Sequence, residues 1–106
     1  MNKTDKIAGL KEILALDPKN SFARYGMAVE LATRGETDAA LNEFSTLLTN
    51  DPDYTAGYFM SAQTLATGGR TLEAIKQLRA GIACAARNDN RHALNEMQMM
   101  LEELSR

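Results

Sequence analysis

The sequence contains no tryptophan, one cysteine, one histidine and two prolines among its 106 residues. A single cysteine excludes both an intramolecular disulfide and a metal site made only of cysteines. The scarcity of proline, with many alanine, leucine, methionine, glutamate and lysine residues, favours helices over sheets. The apolar fraction of 44% and the charged fraction of 25% are typical of a folded globular protein. We therefore expect one helical domain spanning residues 1–106.

Two further absences bear on where the chain acts. The sequence has no apolar run of the ~20 residues that a membrane-spanning helix needs, and its first residues lack the apolar core of a signal peptide. We therefore expect a soluble, cytoplasmic protein without a membrane partner. The formal net charge of −2 argues against nucleic acid, because phosphates select a basic surface.

The charged residues are unevenly distributed along the chain. Acidic residues dominate segment 36–53, and basic residues dominate segment 70–91. A polar contact surface is one interpretation. The favoured one is that neighbouring helices of opposite sign complement each other on a solvated face.

No arrangement of acid, base or nucleophile indicates catalysis. Cys84 lies in an apolar helical run, where a buried small side chain is favoured over a reactive thiol. His92 has no second His or Cys one helical turn away, which favours a solvated or capping role over metal binding. Glu102 and Glu103 are adjacent and therefore point in different directions on a helix. We predict no enzymatic activity, no metal and no cofactor.

An interval of 34 residues recurs along the chain. Asp17-Pro18 is followed at this spacing by Asp51-Pro52, and segment 31–37 matches segment 65–71. The same spacing relates further pairs of similar residues: Tyr25 and Phe59, Ala28 and Ala62, Ala40 and Ala74, Phe44 and Leu78. Upstream, Ile7, Leu10, Ile13 and Leu14 align with Leu41, Phe44, Leu47 and Leu48. A fixed period of this length indicates an array of stacked structural repeats.

Within each interval the signals are those of a helix pair. Apolar residues recur at spacings of three and four, as on one face of a helix. Gly35 and Gly69 can adopt the left-handed conformation that ends a helix, and Pro18 and Pro52 can open the next segment. The sequence predicts helices over 3–15, 21–34, 37–49, 54–67, 71–86 and 90–104.

The period and its motif resemble the tetratricopeptide repeat, a pair of antiparallel helices called A and B. The resemblance implies an all-α superhelix, a short solenoid of about six helices. It would contain a B-like first helix at 3–15, repeats at 21–54 and 55–88, and a capping helix at 90–104. Three positions depart from the family pattern. Arg24 replaces a large apolar residue, Gly81 replaces alanine, and Ala86 replaces a terminal proline, which predicts a longer final loop.

In tetratricopeptide proteins the A helices line a concave groove that receives peptides or helices. The resemblance assigns eight residues to this groove: Phe22, Tyr25, Val29, Thr33, Phe59, Met60, Gln63 and Thr67. An apolar groove with aromatic anchors suits an amphipathic helix or an apolar peptide. A subset of the family binds C-terminal carboxylates through Lys and Asn side chains in groove positions. This chain has neither residue at its eight groove positions. The alternative is that the chain's own last helix covers the groove.

The sequence thus predicts a protein–protein interaction module, a scaffold without catalytic activity. The alternative function is self-association into a homodimer, in which the unpaired first helix packs on another copy through Ile7, Leu10 and Leu14. Three methionines near the end of the chain allow either core packing, which is favoured, or an adaptable binding patch. They are Met97, Met99 and Met100. Met99 lies off the main apolar stripe, which predicts partial exposure.

Overall fold

A computed structural model describes the chain from Lys3 to Arg106, with side chains from Lys6 onward. The helices are α1 (Lys3–Leu16), α2 (Ser21–Thr33), α3 (Thr37–Asn50), α4 (Thr55–Thr67), α5 (Thr71–Arg87) and α6 (Arg91–Leu104). No strand occurs in the part of the chain that the structure describes. Every observed helix end lies within one residue of its predicted position, and the all-α class is confirmed. None of the described helices is long and apolar enough to cross a membrane.

The turns inside the helix pairs are built alike. Gly35 and Gly69 have φ angles of 80° and 79°, in the left-handed region that glycine adopts without steric cost. The amide of Glu36 donates to the Leu31 carbonyl at 2.9 Å, and the amide of Arg70 donates to the Leu65 carbonyl at the same distance. This hydrogen bond closes a Schellman motif at the C-terminal end of the first helix of each pair. The paired helices are therefore joined by short connections and run antiparallel.

The prediction of a longer final loop is wrong. Without a terminal proline, α5 continues to Arg87, and only residues 88–90 connect it to α6. Asp89 takes the left-handed conformation here, with φ of 55°. The Asn90 amide donates to the Ala85 carbonyl at 2.8 Å, so this turn repeats the Schellman geometry of the turns inside the helix pairs.

The helices stack in two rows. Helices α2, α4 and α6 lie side by side, with direct contacts from α2 to α4 and from α4 to α6. Helices α1, α3 and α5 each pack against the helix that follows them in the chain. We call the face formed by α2, α4 and α6 the A face, and the face formed by the other three helices the B face.

Small residues bring paired helices together, as the repeat predicts. Ala28 and Ala40, and likewise Ala62 and Ala74, are fully buried. Cys84 is also fully buried, and its Sγ lies 3.3 Å from the Thr55 hydroxyl, which agrees with a structural rather than reactive role.

The first helix finds its packing partner within the chain. Ile7, Leu10 and Leu14 pack with Ala23 and Met27 of α2 in one apolar cluster. Ile7 and Leu10 are nevertheless only half-buried, so self-association through these three residues stays a prediction. Ile13 of α1 is 45% exposed, whereas its repeat equivalent Leu47 is only 1% exposed.

Candidate functional site

Three adjoining depressions run along the A face. The first, of about 150 Å³, lies where Tyr25, Phe59 and Met60 approach Ala93 and Glu96 of α6. The second, of about 250 Å³, lies between α2 and α4. The third, of about 310 Å³, lies between α4 and α6. Together they form a surface that crosses all three helices of the A face.

Seven of the eight predicted groove residues line these depressions. Val29, Thr33, Met60, Gln63 and Thr67 line the second. Tyr25 lines the first, and Phe59 lines both the first and the third. Phe59 is therefore the one predicted aromatic residue that connects two depressions.

Phe22 is the exception among the predicted residues. It is 80% exposed and lines none of the three depressions. Its repeat equivalent, Ala56, lines the first depression. In the part of the chain that the structure describes, no A helix lies beside this side of α2, and the side chain of Phe22 projects into solvent.

The Tyr25 side chain is held firmly in place. Its ring lies 6.4 Å from the Phe44 ring in an edge-to-face arrangement and 5.3 Å from the Tyr54 ring, measured between centroids. Burial, with a smaller contribution from Tyr54, raises the pKa of Tyr25 above its ordinary value near 10. Its hydroxyl therefore stays neutral at physiological pH, and Tyr25 offers a rigid, uncharged wall.

The sequence interpretation missed the contribution of α6. This helix lies beside α4 in the next A position, rather than across the face, and supplies Glu96, Met99, Met100 and Glu103 to the third depression. Met99 is 65% exposed, as its position off the apolar stripe predicts, while Met97 is fully buried in the core. One signal was available in the sequence. Asn90 caps α6 at the Ala93 amide, as Asn20 caps α2 at the Ala23 amide.

The charged segments identified in the sequence meet away from the A face. The Arg87 guanidinium lies 2.8 Å from the Asp53 carboxylate, and the Arg70 guanidinium lies 3.6 Å from Asp38. Hydrogen bonds from Arg87 and Asn88 lower the pKa of Asp53 below its ordinary value. These contacts agree with the favoured interpretation, in which segments of opposite sign complement each other on a solvated surface.

The titratable side chains are scattered rather than clustered. His92 is exposed, and its Nε2 atom lies 3.2 Å from a Glu96 carboxylate oxygen. Among the described residues, no group of three His, Cys, Asp or Glu side chains is placed to hold a metal ion. The three depressions have apolar side chains in their floor and walls.

A two-row stack of helix pairs with a 34-residue period defines the class of protein, a helical repeat solenoid. One similar solved structure is the solution structure of a tetratricopeptide repeat domain protein from Salinibacter ruber, whose sequence is 30% identical to that of this chain. That alignment covers 83% of this chain and 89% of the other, with a TM-score of 0.78. The chain belongs to the tetratricopeptide repeat family.

Two further similarities agree with this assignment, although no family model matches the chain. A TPR repeat-containing protein of Pseudomonas aeruginosa is 27% identical over 100 residues, which cover 94% of this chain and 95% of that protein. PcrH, whose structure was determined in complex with the chaperone binding region of PopD, is 18% identical to this chain in sequence. The structural alignment covers 97% of this chain and 78% of PcrH, with a TM-score of 0.89, and shows that the two share a fold.

Proposed function

We propose that this chain is a protein-interaction module whose A face holds a segment of a partner protein. The observation that carries the proposal is the continuity of the three depressions, which Phe59 and Met60 join into one surface. Both side chains are only half-buried, because no further helix of the described chain covers this face. PcrH, which shares the fold, was determined with a bound segment of another protein.

The chemistry of the A face suits an amphipathic helix or an apolar peptide. Tyr25, Phe59 and Met60 offer a large apolar area, and aromatic anchors lose little conformational entropy on binding. Methionine side chains adapt to partners of irregular shape. Val29 and Gln63 stand in positions where some members of the family carry Lys and Asn, so recognition of a C-terminal carboxylate is not the proposed mode.

The B face offers a rival surface of different character. A larger depression of about 520 Å³ lies there, lined by Leu41 and Leu48 together with polar groups. Those polar groups already have partners within the chain, because Arg70 pairs with Glu73 and Gln77 donates to Ser61. A ligand on this surface would compete with existing hydrogen bonds. Around Phe59 the described lining is mostly apolar, and its Glu96 carboxylate contacts the exposed His92 ring. This apolar character favours the A face as the binding surface.

A pair of matched variants tests the proposal. The partner is recovered by co-purification from the source cells, and its affinity is measured by titration calorimetry. We expect Phe59→Ala to weaken the complex about 30-fold or more, the equivalent of about 2 kcal/mol, as for a central anchor of an interface. Leu72→Ala removes a side chain that is 83% exposed on α5, outside the three depressions, and should leave the affinity unchanged.

Circular dichroism of both variants checks that the helices persist. If Phe59→Ala keeps the parental affinity in a folded protein, the A face is not the binding surface. Loss of affinity in Leu72→Ala would instead move the interface to the first turn of α5.

A further inference from the structure

The A face has an uneven distribution of charge. Helix α4, at its centre, contains no charged residue. Among the described residues that line the three depressions, the charged ones are Glu96 and Glu103. Both belong to α6 and both are acidic. The apolar floor therefore has an acidic border along one edge only.

The two carboxylates are spaced along one side of the helix. Glu96 and Glu103 are seven residues apart, which is two turns or a rise of about 10 Å. They line the third depression together with Phe59, Met99 and Met100. The acidic border thus flanks an apolar stretch about two helical turns long.

Both carboxylates are accessible to a partner. Glu96 and Glu103 are exposed, and a Glu96 carboxylate oxygen lies 3.2 Å from Nε2 of the exposed His92 ring. Such surface pairs contribute little to stability and are exchanged at small cost. Two cations of a partner, spaced about two helical turns apart, would each gain a carboxylate at the edge of an apolar floor, where part of the surrounding water is displaced on binding.

We propose that the A face selects an amphipathic helix whose apolar stripe is flanked by basic residues two turns apart. The apolar stripe contacts Phe59 and Met99, and the basic residues pair with Glu96 and Glu103. Complementary charges at the border of an interface set the orientation of the partner and exclude segments with acidic flanks. This inference rests on the proposed function and adds to it the class of partner.

A displayed library of helical 16-residue peptides tests the inference without knowledge of the natural partner. Every peptide carries the same apolar stripe, and Lys, Glu or Gln is randomised at flanking positions two turns apart. The library is selected in parallel on the unchanged protein, on Phe59→Ala, on the double variant Glu96→Gln with Glu103→Gln, and on Glu102→Gln. The last is a matched control, since exposed Glu102 on the same helix lines none of the depressions.

We expect the unchanged protein to enrich Lys over Glu at the flanking positions by about threefold or more, as for two surface ion pairs. Glu102→Gln should keep this preference and the double variant should lose it. Enrichment without a preference for Lys, or a preference that survives in the double variant, overturns this inference and leaves the proposed binding face intact. If the unchanged protein retains no more peptide than Phe59→Ala does, both the binding face and this inference are overturned.

Discussion

The two repeats make the same contact with different side chains. Arg24 donates through Nη2 to the Pro18 carbonyl at 2.9 Å, and Tyr58, its repeat equivalent, donates through its hydroxyl to the Pro52 carbonyl at 2.8 Å. A large apolar residue is usual at this position in the family, and Arg24 departs from it. Both side chains are long and end in a hydrogen-bond donor. Each donor holds the connection that precedes its own helix, α2 or α4.

The two junctions between successive helix pairs also achieve close packing with different residues. Between α3 and α4, Leu47 and Leu48 fit over Gly57, where a Cβ atom would lie 3.0 Å from each leucine. Between α5 and α6 the glycine is on the other helix. A Cβ on Gly81 would lie 2.5 Å from the Met97 sulfur and 2.6 Å from the Tyr58 Cβ. Both junctions therefore pair a large side chain with a glycine, and the glycine can lie on either helix.

The largest expected effect is at the second junction. Met97→Ala should lower the free energy of unfolding by about 2–5 kcal/mol, because it leaves a cavity over Gly81. Met99→Ala, on the exposed side of the same helix, should change it by less than about 0.5 kcal/mol. Urea denaturation followed by circular dichroism measures both. Equal effects of the two substitutions would mean that Met97 does not fill the space above Gly81.

A second prediction concerns the close contacts inside the helix pairs. Ala40→Leu and Ala74→Leu should each destabilise the fold by about 1–3 kcal/mol, because both alanines are fully buried and the added carbons have no space. The two repeats should respond alike, since the contact is equivalent in both. Thermal melting compares the variants with the parent protein, and a neutral result at either position would break the equivalence of the repeats.

The smallest expected effect separates the two polar contacts. Tyr58→Phe should cost about 0.5–1 kcal/mol, since it removes one hydrogen bond to an exposed carbonyl. Arg24→Met should cost more, about 1–2 kcal/mol, because Arg24 also pairs with the part-buried Glu43 at 2.7 Å. Urea denaturation at low and high salt distinguishes the two. Only the Arg24 effect should shrink with salt, and an equal salt response would contradict the assignment.

Most of the fold follows from the repeat, because one period fixes both the helix lengths and the turns. The glycines at 35 and 69 end their helices as predicted. The helix α6 was predicted, but its place on the A face was not, because α5 extends to Arg87 and α6 begins 36 residues after α4 rather than 34. Phe22 was misplaced for a related reason. Equivalent residues of two repeats have equal surroundings only where the neighbouring helices are the same, and among the described helices no A helix lies before α2.

The residues of the site divide in the same way into those that the 34-residue period predicts and those that lie outside it. Tyr25, Phe59 and Met60 lie on one face because the 34-residue spacing puts them there. The border residues Glu96 and Glu103 lie outside the repeat pattern, and only the packing of α6 against α5 brings them to this face.

The most direct test of the binding face is a titration of the isotope-labelled protein with its co-purified partner, followed by amide chemical shifts. The account predicts the largest shift changes along one surface, from Tyr25 through Phe59 to Met99, with little change around Leu41 and Gln77. Changes concentrated around Leu41, Leu48 and Gln77 on the B face, with Phe59 and Met99 unaffected, would contradict it.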